Sequence, residues 1–242
     1  MGKKTVSPIN FEEKKVVRFR NLPHDEQALI RKFFGATPLG FFVDVGANHP
    51  IIESQTYHLE QSGWDGLLIE PLDCYCKLLQ AQRTARVAQF ACSSPKNHNK
   101  TLRIVVAGGH STMNEFPIAV GTASSEYAEV PCRTLDSILY HYKVPHGFDF
   151  LSIDIEGHEM EMFQGFSLSK WKPRLVLLED HVLGHDQHRF MVAGGYQLIM
   201  RTGLNSWYVA KSLGYRLTPF ARLQVFRKYW LGLIGRKIRY SR

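Results

Sequence analysis

Short apolar runs recur along this chain with room for a helix between most of them: Phe41 to Val45, Gly66 to Ile69, Val87 to Ala91, Phe148 to Ile153, Leu175 to Leu178 and Gln197 to Met200. Runs that are apolar throughout, rather than at every second position, belong to strands covered on both faces. Such strands in alternation with helices predict an α/β fold with a doubly wound, parallel sheet. Thr101 to Val106 and Tyr127 to Arg133 read as two further strands. The stretch AGGHSTMNEFPIAVGTASSE between them is too rich in Gly, Ser and Thr for core and reads as a loop covering the active site. Upstream, a short helix is expected over Asp25 to Phe34, with Asp25 as N-cap and Gly35 to Gly40 as its stop.

At 242 residues the chain suits one medium domain, since a single core serves up to roughly 250 residues. The expected division is a lead-in with a short helix over 1–40, the α/β domain over 41–211 and a basic, apolar tail over 212–242. The net charge of +8 equals the eight Lys and Arg between Ser212 and Arg242, where there is no acid, so residues 1–211 are balanced. A nucleic-acid reader would carry its basic surface on the fold itself, so no nucleic-acid partner is expected. The tail has three competing readings: a helix docked on the domain, an interfacial helix making peripheral contact with anionic lipid, or a surface for an acidic glycan. No apolar stretch approaches the roughly 20 residues that cross a bilayer. The N-terminal MGKKTVSPINFEEKK lacks a secretory core, and Val6 stands where a myristoylation motif has Ser or Thr. Cys74, Cys76, Cys92 and Cys132 form neither a paired zinc spacing nor a disulfide framework. Reduced thiols and a cytoplasmic location, with the membrane periphery open, are the expectation; the oligomeric state is unknown.

The first strand ends in FFVDVGANHP. In open parallel sheets, ligands sit beyond the carboxyl ends of the strands where strand order reverses. There Gly46 allows close approach to the backbone, and Asp44 can orient the turn or accept a bond from a ligand amine. The second strand ends in LLIEP, placing Glu70 24 positions after Gly46. That is close to the spacing of about 20 at which an acid meets ribose hydroxyls in dinucleotide folds. The glycines of G-x-G-x-x-G are missing, however, and Pro50 has no N–H to offer a phosphate. A nucleoside without phosphates fits better, and S-adenosylmethionine is one: ribose for Glu70, an amino-acid end for the Gly46 loop, and a sulfonium for nearby carboxylates.

FVDVGANHP…ESQTYHLEQSGWDGLLIEP, then CRTLDSIL, then FDFLSIDIEGHEMEMFQGF together resemble the FkbM family of S-adenosylmethionine-dependent methyltransferases, from about Phe41 to Phe166. The resemblance implies a class I methyltransferase (Rossmann-like) fold, with a mostly parallel seven-stranded sheet whose last strand is antiparallel, and methylation chiefly at hydroxyl oxygens. It implies cofactor contacts at Asp44, Gly46, Asn48 and Glu70 and an active-site place for Asp154.

FLSIDIEGHE puts Asp154 at a strand end beside that cofactor place, with Glu156 two residues on. An acid at an apolar strand end is costly unless a cation or a hydroxyl compensates it. Glu159 and Glu161 read more simply as acids in the first turn of a helix. LVLLEDHVLGHDQH presents Glu179, Asp180 and His181 at the next strand end. That arrangement resembles catechol-type O-methyltransferases, without a sequence match, and there such acids hold Mg²⁺. Asp154, Glu179 and Asp180 are accordingly the expected ligands if Mg²⁺ is used, and His158 and His181 are the candidate bases. His181, His185 and His188 share a helical spacing that Gly184 weakens, so zinc is disfavoured. The sequence therefore reads as an O-methyltransferase acting on a sugar, lipid or small-molecule hydroxyl. The alternative is a non-catalytic nucleoside-binding or scaffold protein of the same fold.

Overall fold

The computed structural model describes residues 26–35, 39–105, 127–180 and 185–231. The proposed cap Asp25, the expected covering loop over 107–126, His181 and the last residues of the tail lie outside them.

Seven strands form the central sheet. In chain order they are β1 (Phe41–Val45), β2 (Asp65–Ile69), β3 (Arg86–Ala88), β7 (Phe150–Ile153), β8 (Leu175–Glu179), β9 (Tyr196–Thr202) and β10 (Asn205–Ala210). The spatial order is β3-β2-β1-β7-β8-β10-β9. The first five run parallel, and β10 is antiparallel to both β8 and β9. This is the mostly parallel, Rossmann-like sheet expected. A small second sheet has the order β4-β6-β5, from β4 (Ala91–Cys92), β5 (Thr101–Val105) and β6 (Tyr127–Arg133).

Two details differ from what the apolar runs alone predict. The run Val87 to Ala91 is not one strand, because the chain leaves β2 after Ala88 and Ala91 begins a new pairing with Cys132. Asn205–Ala210 is also a strand. It folds back from β9 across the two-residue link Gly203-Leu204, with Gly203 in the left-handed region at φ 51°, and its Trp207, Tyr208 and Val209 are buried between neighbours.

Alternation along each strand divides the core. Val43, Val45, Leu67, Ile69, Leu151, Ile153, Val176 and Leu178 join one cluster. Its helices include α4 (Leu135–His141), α5 (Glu159–Phe163) and α6 (Leu168–Trp171), which supply Leu139, Met162 and Trp171. Phe42, Leu68, Phe150, Leu175 and Leu177 face the other way. There they meet Ile30 and Phe34 of α1 (Glu26–Phe34), Leu59 of α2 (Tyr57–Glu60) and Leu79 of α3 (Asp73–Gln82). Each fully buried Leu, Ile or Phe contributes about 1.5–3 kcal/mol, so both helical layers are held chiefly by these stripes. Cutting Leu151, which has no solvent exposure, to Ala would cost about 2–5 kcal/mol.

The register fixes where chemistry can gather. Val45 pairs with Ile69 and Ile153, and Ile153 with Leu178, so β1, β2, β7 and β8 end along one line. Strand order reverses between β1 and β7, which opens a crevice at that line. The last helices are α7 (Asp186–Ala193) and α8 (Pro219–Val225), the latter continuing into a π-helical turn over Phe226–Leu231. No helix among the described residues is long and apolar enough to cross a membrane.

Candidate functional site

After Val45 the chain turns sharply at Gly46, whose φ is +84°. A Cβ there would lie 1.8 Å from the Asp154 carbonyl oxygen, so the β1 and β7 turns touch through a position only glycine fills. The amides of Gly46 and Ala47 both donate to the Ile69 carbonyl, at 2.9 and 3.2 Å, and Asp154 N–H donates to Val45 at 2.9 Å. Three strand ends are thereby tied into one edge.

Glu70 follows β2 and is buried. Its two carboxylate oxygens accept separately from Asn48 N–H at 3.0 Å and Leu72 N–H at 2.9 Å. Asn48 reaches this bond in the left-handed region, at φ 48°, a conformation asparagine tolerates. Burial pushes the Glu70 carboxyl up to about 7, although the two amides pull it down. Asp44 is buried too, and its Oδ2 accepts from the Thr56 hydroxyl at 2.7 Å. Burial raises its pKa against that bond and the nearby Arg83 charge.

Arg83 organises the loop after β1. It donates to Glu60 at 2.8 Å, to the Pro50 carbonyl at 2.9 Å and to Thr56 at 3.1 Å, with both partners of the ion pair buried. An unbroken chain of bonds therefore runs from Glu60 through Arg83 and Thr56 to Asp44.

Two clefts meet here. One is lined by Ile69, Glu70, Leu72, Phe90 and Ile104 among others. The second is lined by Asp44, His49, Ser54, Ser152 and Glu179 among others. Gly46, Asn48, Tyr75, Asp154 and Glu156 border both. The first has the mixed polar and apolar lining of a small-molecule site.

Where the clefts join, Asp154, Glu156 and Glu179 each bring a carboxylate oxygen within 4.8 Å of the others. Glu156 stands in the left-handed region at φ 51°, next to Gly157 at φ 90°. Burial, then the charge of Asp154, pushes the Glu179 carboxyl up to about 10. Both causes favour the protonated form of Glu179 beside Asp154. Such a cluster attracts any cation and has a place for a proton.

The structure thus brings Asp44, Gly46, Asn48, Glu70, Asp154 and Glu179 to one edge. Asp180 is elsewhere, since strand alternation turns it away from Glu179. It is buried, Arg201 lies 3.9 Å from its Oδ2, and Arg201 also donates to its carbonyl. A metal set that includes Asp180 is therefore not what the geometry assembles, and Glu156 takes its place. His158 caps α5 and is hydrogen-bonded to Ser93 at 3.0 Å; it lines neither cleft. His188 is bonded to the Tyr208 hydroxyl at 3.0 Å and His185 packs on Trp230, so these two do not converge as ligands. Glu159 accepts from Gly157 N–H at 3.0 Å, as an acid at a helix start should. Sequence reasoning missed Thr56, Glu60, Tyr75 and Arg83, and no local pattern marks them.

No curated protein matches the chain. A family model described as the methyltransferase FkbM domain matches residues 44–217. That span begins at Asp44, includes the Gly46 turn, Glu70 and the three clustered carboxylates, and takes in every strand from β2 to β10, so the chain belongs to the FkbM methyltransferase family.

Proposed function

We propose that the protein is an S-adenosylmethionine-dependent O-methyltransferase acting on a hydroxyl of a sugar, lipid or small-molecule acceptor. The observation that carries this is Glu70: a buried carboxylate held by two backbone amides, at the wall of a cleft whose floor is the Gly46 turn. A carboxylate fixed in this way accepts the two hydroxyls of a ribose without moving. The turn offers no phosphate cradle, which favours a nucleoside lacking pyrophosphate. S-adenosylmethionine, when bound, supplies a methyl carbon on a cationic sulfur.

The chain's own residues do the rest. Gly46 lets the β1 and β7 turns meet and borders both clefts, and Asp44, fixed by Thr56, faces the second cleft with polar companions suited to an amino-acid end. Asp154 holds positive charge near it and takes the proton of the acceptor hydroxyl as the new C–O bond forms and the C–S bond breaks. Glu179, carrying its own proton, keeps Asp154 in place. Catalysis is then mainly alignment of the acceptor oxygen, with proton removal as the second contribution.

A magnesium-assisted version has one observation in its favour, the three oxygen donors within 4.8 Å. In that version Asp154, Glu156 and Glu179 would hold the ion, which would supply Lewis-acid activation of the acceptor hydroxyl, and activity would vanish with EDTA and return with Mg²⁺. Unchanged turnover in EDTA leaves the carboxylate-only mechanism.

Titration calorimetry with S-adenosylmethionine and with NAD tests the cofactor. Binding of the first and not the second is expected; the reverse preference sinks the proposal. Release of S-adenosylhomocysteine with an O-methylated product tests the reaction, and tight binding without any turnover across hydroxylated acceptors would favour a non-catalytic binder.

A further inference from the structure

The π-helical turn and α8 have two faces of different character. The inner face settles the docking question for this part of the tail: Ala221 and Val225 are half-buried, Tyr229 is fully buried in the main core, and Lys228 donates to the Arg201 carbonyl at 3.1 Å. The helix starts cleanly, with the Thr218 hydroxyl accepting from Ala221 N–H and Pro219 in its first turn. With that face against β9, the remaining one should be polar. It is not. Phe220 is 69% exposed, Leu223 63%, Phe226 50% and Leu231 54%. Exposed Arg222 and Arg227 stand among them, and no acid occurs from Ser212 to Arg242.

We infer that this outer face of residues 220–231 is a docking surface for an anionic lipid bilayer. Two features have to be met together, large apolar side chains and uncompensated cations. A bilayer interface meets both: apolar residues enter the headgroup and acyl boundary, while arginines reach the phosphates with their stems along the apolar layer. A second copy of this chain meets only the first, because a two-fold contact through one helix would oppose Arg222 and Arg227 to their own counterparts. A soluble acidic glycan meets only the second and leaves the phenylalanines in water. The face is too short and too charged to insert across a membrane, so the contact is peripheral.

The test is co-sedimentation of the full chain with phosphatidylcholine vesicles, with and without phosphatidylglycerol. Binding is expected only with the anionic lipid, and it should weaken as salt rises. Each cation near such a surface contributes about a factor of five, so R222E/R227E should lose roughly 25-fold or more in partitioning. L223S/F226S should lose binding as well while its melting temperature stays at the wild-type value, because neither side chain is part of the core. No binding to anionic vesicles by the full chain overturns the inference. So does binding that survives both double substitutions, which would place it on another surface, and so does a concentration-dependent dimer abolished by L223S/F226S in a protein that ignores vesicles.

Discussion

On the β1–β2 side of the strand edge, each carboxylate is met by a neutral donor: Glu70 by two backbone amides, Asp44 by the Thr56 hydroxyl. On the β7–β8 side, Asp154, Glu156 and Glu179 face one another, and burial together with the Asp154 charge favours the protonated form of Glu179. The first arrangement is finished before any ligand arrives, and rigid acceptors of this kind select a neutral polyol by geometry. The second is completed only by a cation or a retained proton. Affinity should thus belong to the first side and chemistry to the second, although the Gly46–Asp154 contact and the Asp154–Val45 bond join them.

The severest challenge to that division is Gly46→Ala, which strikes both sides at once. The added methyl meets a backbone carbonyl in a left-handed turn, costs together about 3–5 kcal/mol, and should lower the unfolding midpoint by roughly 10 °C. Calorimetry should find no S-adenosylmethionine binding; wild-type stability with wild-type affinity would show that the turn yields. Next in size, Asp154→Asn should reduce kcat by roughly 10²–10⁴-fold while the cofactor Kd stays within about threefold. A collapse of affinity along with kcat would erase the distinction between the sides.

Glu70→Gln should do the converse. Loss of a charged acceptor weakens cofactor binding by about 1.5–3 kcal/mol, roughly tenfold to a hundredfold, with kcat at saturation much less affected. Its pH signature is separate. Glu70 sits near 7 in the folded protein against an ordinary 4.5, so between those values the folded state binds the extra proton. That contribution is fully present below about 4.5 and is lost as pH rises through about 7, a decline of roughly 3 kcal/mol at most. Glu159, held near 7 for the same reason, adds a decline of its own. Chemical denaturation from pH 4 to 8 should therefore show a shallower fall in Glu70→Gln than in wild type, and equal slopes would refute the assignment. Smallest of all, His158→Asn should change kcat by less than about threefold, because the ring is engaged by Ser93 outside both clefts. A hundredfold loss would bring the imidazole back into the chemistry.

Which parts of this were legible in sequence follows from how local each signal is. Val43 to Gly46 announces itself within a few residues: a strand apolar at both faces, then a residue without a Cβ. Glu70 was found by counting from that glycine, and Asp154 by its place after another apolar strand. Arg83 carries no such mark. Its partners lie 23, 27 and 33 positions away, and only the folded loop shows that it braces Asp44 through Thr56. Asp180 misled for a related reason, since adjacent residues at a strand end point to opposite faces and Glu179 had already taken the site side. The position of β10 beside β9 escapes the apolar-run pattern because their turn, Gly203-Leu204, carries only one of the usual turn residues, and β10 opens on Asn and Ser.

One contact described by its ends alone has a consequence in time. Helix α1 lays Ile30 and Phe34 on the sheet, and its Glu26 accepts from the Thr202 hydroxyl and from Asn205 at 2.9 Å, a closure across 179 positions of chain. Glu26 thus waits for partners made 179 positions later, on the order of ten to thirty seconds at 5–20 residues per second. During that interval α1 can already lay Ile30 and Phe34 on Phe42, Trp64 and Leu68, but its Glu26 has no donor from β9 or β10. Assembly is then expected to finish at this seam, where sequence separation makes ring closure slowest. A nascent chain halted before β9 should exchange the amides of α1 faster than one released after β10, because only the latter has Thr202 and Asn205 to hold Glu26.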